Sequence, residues 1–483
     1  MPSEMSYSKY QENIFKFIQE EKGHAFVEAV AGSGKTTTIV EAANRIPQNS
    51  KAIFLAFNKH IATELGSRLP MNCEAKTLHS LGFNLMKSCG TFPRYIKVNA
   101  NKNKNLFLYK VLEDEDLIKK KYAISYNITR VISLLKGLYV TEPTREDIVD
   151  LCDNYDIDVR DMDEFAEFAI EVFYLSINQT SVIDFDDMLF MPVHHDIAFP
   201  KYDNVFVDEA QDLNPIQIEI ISRLNGRVIA VGDTHQAIYG FRGADPYAVE
   251  KMVNTFSAIK LPLSICYRCA KNIVNLAKEL VPHIECNESQ IDGEIVNIKI
   301  EDLSTHVTEG DYILCRTTAP LVSMCLRLLR LGKTATVKGR DIGEGLINFI
   351  DTVNKGSTDI DDFYNSLNEY VTKKMGEYEA RNKTSSIIEL QDKYDTIDAL
   401  SEEVKTVEEL KAKIKGLFSD EVSGIVLSTI HKSKGLETDN VYILKPEILP
   451  HPKAKLDWQI TQEKNLKYVA ITRAKKKLCF VNG

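Results

Sequence analysis

The sequence predicts an α/β protein built from two parallel β-sheets, and three observations lead to this fold class. Short apolar strands alternate with helical stretches in the first quarter of the chain. The alternation resumes after residue 204 and continues to the end. Two strand-poor, charged stretches interrupt it, at about 85–181 and 355–419. Because strands that alternate with helices form parallel sheets, we expect two such sheets, each with a helical insertion.

The individual elements follow from local patterns. Segments such as 101–110 and 160–175 have few strand signals and are predicted to be helical. Mixed charges at helical spacing in 401–411 favour a solvated helix face over a dedicated binding surface. The strands are predicted as apolar runs bounded by polar or glycine-containing segments. Their ranges are 25–29, 52–56, 73–77, 204–207, 227–231, 258–261, 312–315, 424–428 and 440–444.

Length and composition indicate a globular protein. A chain of 483 residues with 44% hydrophobic residues has room for two to four domains, since a domain usually has about 100–200 residues. The N-terminus lacks the pattern of a secretory signal, and no apolar run approaches the roughly 18 residues of a membrane span. We therefore expect a cytoplasmic protein, or one in the nucleoid or a host cytoplasm, without a membrane partner.

Charge and cysteines exclude some classes of function. The net charge of −10 argues against coating nucleic acid over the whole surface, but it leaves room for a local basic groove. Nine scattered cysteines are typical of free thiols rather than a disulfide framework. Cys266 and Cys269 have the spacing of half a zinc site, but no second pair of that spacing exists, so zinc or redox chemistry there is disfavoured.

Residues 29–36, AVAGSGKT, follow an apolar strand and open a helical pattern, as a phosphate-binding loop does. Its glycines let successive backbone N–H groups point at phosphates. Lys35 supplies a positive charge for the β- and γ-phosphates, and the Thr36 hydroxyl is a ligand for Mg²⁺. Ala29 stands where the general pattern has glycine, so the motif alone leaves room for coincidence.

An acidic pair follows the apolar strand 204–207. Alone, Asp208 and Glu209 would be an ordinary acidic turn at a strand end. Together with an upstream phosphate loop, they predict hydrolysis: Asp208 would reach Mg²⁺, and Glu209 would orient and deprotonate the attacking water.

With these segments in view, most of the chain resembles superfamily 1 DNA helicases of the UvrD, Rep and PcrA group, close to the branch of F-box DNA helicases. The matching segments occur in the family's order. They are YQ at 10–11, the phosphate loop, FNK at 57–59, TLHS at 77–80, DFDD at 184–187, DEAQD at 208–212, VGDTHQAIYGFRGA at 231–244, YR at 267–268, TIHKSKGLE at 429–437 and EKNLKYVAITRA at 463–474.

The resemblance implies ATP and Mg²⁺ as cofactors and assigns roles at the nucleotide. Gln11 matches the glutamine that reads adenine, and Tyr267 matches the aromatic residue on which the base stacks. Gln236 matches the γ-phosphate sensor, and Glu437 matches a residue near the ribose. The implied catalytic residues are Lys35, Asp208, Glu209, Gln236, Arg268 and Arg473, the last two being arginines brought to the γ-phosphate. The implied nucleotide contacts are Gln11, Ala31, Gly32, Ser33, Gly34, Lys35, Thr36, Thr37, Tyr267, Arg268, Glu437 and Arg473, with Thr36 and Asp208 as the metal ligands.

Two departures from the family pattern weaken the prediction of nucleotide selectivity more than that of hydrolysis. Thr37 stands where relatives often carry an arginine near the base. Cys266 and Cys269 flank Tyr267 and Arg268 where the family usually has polar residues.

The resemblance also implies a single-stranded nucleic acid as partner. Tyr239 and Phe241 match residues that stack on bases, a contact that is tolerant of sequence. The acids of 184–187 would repel a phosphate backbone, so we expect only Phe185 to contact a base there and its neighbours to act as caps or in packing. The full set of predicted nucleic-acid contacts is Phe57, Asn58, Thr77, His79, Phe185, Tyr239, Phe241, Arg242, His431 and Lys434.

The function implied is an ATP-dependent helicase that translocates on single-stranded DNA, in the 3′ to 5′ direction by resemblance, and acts at single/double-strand junctions. Two RecA-like domains with helical insertions are expected to alternate between closed and open states, in a monomer or weak self-association. Their predicted ranges are 1–85 with 182–255 for the first domain, 86–181 for its insertion, 256–354 with 420–483 for the second domain, and 355–419 for its short insertion.

Two alternatives remain. One is a translocase that strips proteins from single strands and unwinds poorly, because the second insertion is much shorter than in the longer relatives. The other is a noncatalytic nucleic-acid-binding scaffold. Pathway, choice of DNA or RNA, protein partners and the role of the insertions stay open.

Overall fold

The computed structural model describes residues 7–112, 118, 121, 124–155, 157–240, 247–381, 383–421, 423–454 and 456–483. The chain divides into two compact units. The first comprises 1–30 and 34–264, and the second comprises 31–33 and 265–483. The finer division into ATPase domains and insertions stays a prediction.

The first unit contains a six-stranded parallel sheet. Its strands, with those of a small two-stranded sheet, are β1 (Ala25–Ala29), β2 (Ala52–Leu55), β3 (Cys73–Lys76), β4 (Lys97–Val98), β5 (Val182–Ile183), β6 (Asn204–Val207), β7 (Arg227–Gly232) and β8 (Ile259–Leu263). The large sheet has the order β3-β2-β6-β7-β1-β8, and β4 pairs with β5. The strands are parallel throughout, so the carboxyl ends of β1, β6 and β7 meet at one edge.

Helices connect these strands. They are α1 (Lys9–Glu20), α2 (Lys35–Ala43), α3 (Lys59–Gly66), α4 (Leu78–Ser88), α5 (Lys102–Leu106), α6 (Ser125–Gly137), α7 (Arg145–Asn154), α8 (Met162–Asn178), α9 (Asp187–His194), α10 (Pro215–Arg223) and α11 (Ala248–Phe256). A π-helical turn, Phe107–Val111, continues α5, and 3₁₀ turns occupy Ala210–Asp212 and Thr234–Gln236. Side-chain caps explain several starts: Ser8, Asn58 and Thr77 accept backbone N–H groups at the first turns of α1, α3 and α4.

The helices inserted between β4 and β5 share a hydrophobic core with one face of the sheet. Buried residues of these helices, such as Ile132 and Phe173, belong to the same cluster as Phe26 and Val205 of the strands. The other face of the sheet is covered by α1 and α2, with Ile14 and Ile39 in a separate cluster. The first insertion is therefore packed onto the sheet and not held only by its connections.

The second unit contains a seven-stranded parallel sheet. Its strands, with a small two-stranded sheet, are β9 (Ile265–Cys266), β10 (Glu285–Cys286), β11 (Glu294–Lys299), β12 (Tyr312–Cys315), β13 (Ala335–Lys338), β14 (Phe418–Ser419), β15 (Ile425–Thr429), β16 (Thr438–Leu444) and β17 (Ala474–Asn482). The large sheet has the order β11-β17-β16-β12-β15-β13-β14, and β9 pairs with β10.

The described helices of this unit surround its sheet. They are α12 (Lys271–Ala277), α13 (Leu303–His306), α14 (Ala319–Arg330), α15 (Arg340–Val353), α16 (Ile360–Ala380), α17 (Thr384–Ser401), α18 (Val407–Leu417) and α19 (Asp457–Ile471), with 3₁₀ turns at His431–Ser433 and Pro446–Ile448. Buried residues of α16 to α18, such as Phe363, Ile397 and Leu410, lie in one cluster with Ile313 and Leu427 of the strands. The second insertion, too, is part of the core of its unit.

The predicted fold class, α/β with two RecA-like parallel-sheet domains and helical insertions, is confirmed. Each predicted strand is present, and its ends lie within two residues of the expected ones. The prediction omitted several strands of the second sheet, including β11, β13 and the long β17. None of the helices in the described ranges has the length and apolar composition needed to span a membrane.

Candidate functional site

The phosphate loop follows β1, which lies in the sheet between β7 and β8. Gly32 and Gly34 have φ angles of 68° and 78°, a backbone conformation that glycine adopts without strain. Lys35 begins α2 directly after this turn. The loop has the strand-turn-helix context that the motif requires.

The end of β6 approaches the start of α2 through one hydrogen bond. The Thr36 hydroxyl donates to a carboxylate oxygen of Asp208 over 2.9 Å. Asp208 is buried, and burial, followed by the charge of Glu209, raises its pKa to about 6, against the opposing influence of Thr36 and Lys35. A buried carboxylate beside a hydroxyl is a donor set that suits Mg²⁺, so these residues fit the expected metal.

Glu209 begins a chain of contacts that runs from the end of β6 to the end of β7. It has a φ of 50°, uncommon for a residue with a side chain and typical of functional sites. Its carboxylate accepts a hydrogen bond from the Gln211 amide, whose oxygen accepts the Asp233 N–H at 3.0 Å. Asp233 in turn accepts from the Gln236 amide at 2.7 Å. The candidate base and the candidate γ-phosphate sensor are thus connected through two side chains.

Sequence reasoning assigned no role to Gln211 or Asp233, although both belong to the matched motifs. Asp233 is fully buried, and burial raises its pKa. Gln211 is also buried. Gln211 lies two residues after Glu209, and Asp233 lies three residues before Gln236. This closeness to the catalytic candidates was the signal in the sequence that could have identified them.

Gln11 lies on α1 with both ends of its amide in use. Its oxygen accepts the Ser8 N–H at 2.9 Å, and its nitrogen donates to the Thr38 hydroxyl at 3.1 Å. Thr38 itself donates to the Gly34 carbonyl at 2.9 Å, which connects Gln11 to the phosphate loop. Thr37 is exposed beside it. The predicted adenine contact of Gln11 stays a prediction.

The second unit brings Arg268, Glu437 and Arg473 together. Arg268 forms a close ion pair with Glu437, which also pairs with Lys475 at 2.9 Å. Burial opposes ionisation of Glu437, but Lys475 and Arg268 outweigh it and lower its pKa. Burial, followed by the positive charge of Arg268, lowers the pKa of Arg473 to about 10. Two neighbouring guanidinium groups favour a negative charge between them, and in the structure the carboxylate of Glu437 supplies one to Arg268.

Arg473 is buried and held within its own unit. Its guanidinium donates to the carbonyls of Val469 and Leu436, each at 3.0 Å, and to the Thr472 hydroxyl at 3.4 Å. Arg268 donates to the Thr472 carbonyl, also at 3.4 Å. Tyr267, the candidate for base stacking, is partly exposed.

Three loop residues, Ala31, Gly32 and Ser33, belong to the second unit. The Ala31 N–H donates to the Tyr468 hydroxyl at 2.8 Å, and the Gly32 carbonyl accepts the Tyr267 N–H at 2.9 Å. Tyr468 is buried and was not among the residues predicted from the sequence.

The predicted nucleic-acid contacts of the first unit lie at helix starts and in turns. Phe57 and Phe185 are more than half exposed, at 54% and 57%, although both are large and apolar. Asn58 and Thr77 use their side chains as helix caps. Burial lowers the pKa of His79, so it is neutral at pH 7.

The remaining predicted contacts are only partly described. Tyr239 is half-buried next to the 3₁₀ turn that carries Gln236. Phe241 and Arg242 lie outside the described residues. In the second unit, His431 begins a 3₁₀ turn after β15, and Lys434 follows it. The strand-contacting roles of all these residues stay predictions.

The two cysteines beside Arg268 are buried free thiols. The Cys269 N–H donates to the Cys266 sulfur at 3.5 Å, and interaction with Cys269 is the largest of the causes that lower the pKa of Cys266 to about 7. Among the residues that the structure describes, no group of three or more histidine, cysteine or acidic side chains could hold a metal ion.

Comparison with known families decides the identity of the fold. The family model for the UvrD/REP helicase N-terminal domain matches residues 10–257, about half of the chain, and the model for the UvrD-like helicase C-terminal domain matches 333–482. The chain belongs to the UvrD/REP helicase family. Its phosphate loop and the acidic end of β6 lie in the matched N-terminal domain, and Arg473 lies in the matched C-terminal domain.

Several curated UvrD/REP relatives align with nearly the whole chain. F-box DNA helicase protein 1 of Schizosaccharomyces pombe is 25% identical, over 94% of this chain and 55% of the relative. F-box DNA helicase 1 of Gallus gallus is 25% identical, over 98% and 49%. ATP-dependent DNA helicase PcrA of Staphylococcus epidermidis is 21% identical, over 96% and 82%. The chain spans about half the length of the two F-box relatives.

A solved structure, that of the arterivirus nonstructural protein 10 helicase, aligns with 98% of this chain and 61% of its own at a TM-score of 0.35 and 12% identity. A likeness at that level does not establish membership of a family. The family assignment therefore depends on the sequence matches.

Proposed function

We propose that this chain is an ATP-dependent DNA helicase that translocates on single-stranded DNA. The observation that carries the proposal is the contact between Thr36 and Asp208 at 2.9 Å, which joins the phosphate loop after β1 to the acidic end of β6, a parallel strand of the same sheet. Phosphoryl transfer depends mainly on positioning and on neutralisation of charge, and this pair serves both. Membership of the UvrD/REP family supports DNA as the track.

The proposed chemistry is hydrolysis of ATP. Lys35 would bind the β- and γ-phosphates, and Thr36 with Asp208 would hold Mg²⁺, which when bound neutralises phosphate charge. Glu209 would accept a proton from the attacking water, held at the carboxylate that Gln211 orients. Arg268 and Arg473 would stabilise charge on the transferred phosphoryl group, a contribution of about 10³–10⁵ in rate for such arginines.

Coupling to the strand would pass through the segment after β7. Gln236 and Tyr239 are three residues apart in the sequence. Loss of the γ-phosphate at Gln236 would therefore be felt within a few residues, at the base stacked on Tyr239. Stacking on Tyr239, Phe57 and Phe185 would let the enzyme step along any sequence. Movement in the 3′ to 5′ direction, action at junctions, a monomeric state and a cytoplasmic location stay predictions.

The test is ATP turnover titrated with oligo(dT), blunt duplex DNA and single-stranded RNA. We expect the strongest stimulation by oligo(dT), and no turnover in Lys35→Ala. Lys16→Ala is the matched control, because Lys16 pairs with Glu20 on the surface of α1 in the same unit. DNA-stimulated turnover that survives Lys35→Ala would refute the site, and turnover without any nucleic-acid dependence would refute the helicase.

A second candidate is a translocase that removes proteins from single strands and unwinds little. The compact second insertion favours it, since α16 to α18 pack into the core of their unit. Strand displacement on a 3′-tailed duplex, compared with release of a protein bound to the single strand, separates the two candidates.

A further inference from the structure

Among the described residues of the first unit, two lysines are fully buried. Lys102 at the start of α5 is 1% exposed, and Lys136 at the end of α6 is 0% exposed. Lysine is almost never fully buried unless its charge is paired. Neither residue belongs to the proposed nucleotide site, so their charges need another explanation.

Each ammonium group has three hydrogen-bond acceptors within reach. Lys102 Nζ donates to Asp187 Oδ2 at 2.6 Å and to the carbonyls of Ser176 and Gln179 at 2.7 and 3.2 Å. Lys136 Nζ donates to Asp187 Oδ1 at 2.7 Å, the Ser176 hydroxyl at 2.9 Å and Asp184 Oδ2 at 3.3 Å. An ammonium group has three protons, so both are fully satisfied.

The acidic partners form a closed turn. The Asp184 N–H donates to Asp187 at 2.9 Å, and the Asp187 N–H donates to Asp184 at 2.8 Å. Asn103 adds a third donor to Asp184 at 2.7 Å. These reciprocal bonds fix the backbone on both sides of Phe185, which is the exposed residue of the turn.

The network connects the inserted helices to one short turn of the sheet domain. Lys102 comes from α5 and Lys136 from α6, and both bind Asp187 of the turn at the start of α9. Both also bind Ser176 of α8. Burial lowers the pKa of Lys136, but Asp187 and Asp184 outweigh it and the pKa is raised, so its charge is retained.

Stability alone is a poor explanation for four buried charges. Desolvation of buried ion pairs offsets much of their attraction, and apolar replacements of similar size are often neutral or stabilising. A fully satisfied polar network gives a single, well-defined geometry instead. What this geometry holds in place is the backbone of the turn that exposes Phe185.

We propose that Lys102 and Lys136 are positioning residues, which fix the 184–187 turn so that Phe185 presents its ring to a base of the single strand. The inference rests on the proposed function, since it explains how the contact between Phe185 and the single strand is held in position. It makes the first insertion a direct determinant of strand affinity through its buried lysines, in addition to any surface contact.

The test is a charge-balanced double variant, Lys136→Met with Asp187→Asn. It removes one positive and one negative charge, and an asparagine at 187 can still accept from Lys102 and from the Asp184 N–H. The matched control is Arg145→Gln with Asp163→Asn, an exposed ion pair of 2.6 Å between α7 and α8 of the same insertion. ATP turnover is measured against oligo(dT) concentration for both double variants, for Phe185→Ala and for the triple variant.

We expect the oligo(dT) concentration for half-maximal stimulation to rise about tenfold in the charge-balanced variant, with turnover at saturating oligo(dT) retained, since one stacked base is worth about 1–3 kcal/mol. The triple variant should then be no worse than Phe185→Ala, because the lysine acts through that ring. The control should match the wild type.

Two outcomes overturn the inference. One is additivity of the lysine and phenylalanine effects, and the other is an unchanged half-saturation in the charge-balanced variant while the wild type is stimulated. A wild type that no nucleic acid stimulates contradicts the proposed function itself, which separates the two failures. If the charge-balanced variant does not fold, Asn103→Ala provides the same comparison, since it removes only the third donor to Asp184.

Discussion

At the scale of single residues, burial sets the charge of the carboxylates near the sheet edge. Asp186 stands beside the lysine network, and burial, followed by the charge of Asp184, raises its pKa to about 6. Ser133 and Lys136 act in the opposite direction, and Asp187 adds to the increase. An ionised Asp186 is therefore less stable in the folded protein than in the unfolded chain.

Asp186→Asn tests this electrostatic cost. In the wild type, the folded state binds a proton at Asp186 more tightly than the unfolded state, so the stabilisation from that proton is present below about pH 4 and is lost as the pH rises through 6. We expect the variant to gain on the order of 1–3 kcal/mol in free energy of unfolding at pH 7.5. Urea unfolding of both proteins at several pH values should show the gain shrinking below pH 6. A gain that does not change between pH 7.5 and 4 would contradict this assignment.

The same turn shows what a sequence can and cannot reveal about a site. The expectation that the acids of 184–187 act as caps or in packing agrees with the bonds that Asp184 and Asp187 make. Their lysine partners were not foreseen. Lys102 lies in a segment rich in lysine and asparagine, a composition typical of an exposed helix, and its partner is 85 residues away. Only the fold reveals that this lysine is buried.

At the scale of elements, the sequence of β17 shows why this strand of the second sheet was not predicted. Three consecutive lysines follow its first residue, Ala474, and hide the alternation that predicts a strand. Each lysine has an acidic partner from a distant part of the chain: Lys475 pairs with Glu437, Lys476 with Asp439 and Lys477 with Glu294. Local periodicity cannot register such pairs, because they exist only once the neighbouring strands are in place.

The insertions show a similar limit. Their helical character was predicted correctly from the loss of strand signals. Their packing was not, because an amphipathic pattern identifies an apolar face without identifying what covers it. In both units the inserted helices share the hydrophobic core of the sheet.

The contact between α4 and α9 gives a prediction at this scale. At Gly82, an added Cβ would lie 1.8 Å from the Met188 carbonyl oxygen, so the two helices would have to separate. We expect Gly82→Ala to lower the free energy of unfolding by about 2–3 kcal/mol or more, despite the better helix propensity of alanine. Circular dichroism during urea unfolding measures the change.

Gly376→Ala is the matched control for that prediction. Gly376 lies inside α16, and no atom would come within 4 Å of its added Cβ. The substitution should stabilise by about 0.5–1 kcal/mol through propensity alone. Equal effects of the two substitutions would mean that α4 and α9 are not in close contact in solution.

At the scale of the whole molecule, the net negative charge of the chain is compatible with the proposed binding of single-stranded DNA if few of the contacts to the DNA are ionic. The chain carries a net charge of −10, and its predicted strand contacts are mostly aromatic or uncharged. The predicted cationic ones are Arg242, Lys434 and, when protonated, His431. An enzyme of this kind would hold bases by stacking and phosphates by a small number of charges.

The salt dependence of strand binding measures that number of charges. Each neutralised phosphate of a single strand contributes about −0.7 to the slope of log K against log salt, so about three contacts predict a slope near −2. Fluorescence anisotropy of labelled oligo(dT) between 50 and 300 mM KCl, at one fixed nucleotide condition, gives the slope. A slope steeper than about −4 would require a broad basic surface that an acidic chain with these contacts does not supply. A slope near −2 would instead leave stacking as the main source of affinity. Binding of the strand should then persist at physiological salt and should weaken chiefly when the aromatic side chains are removed.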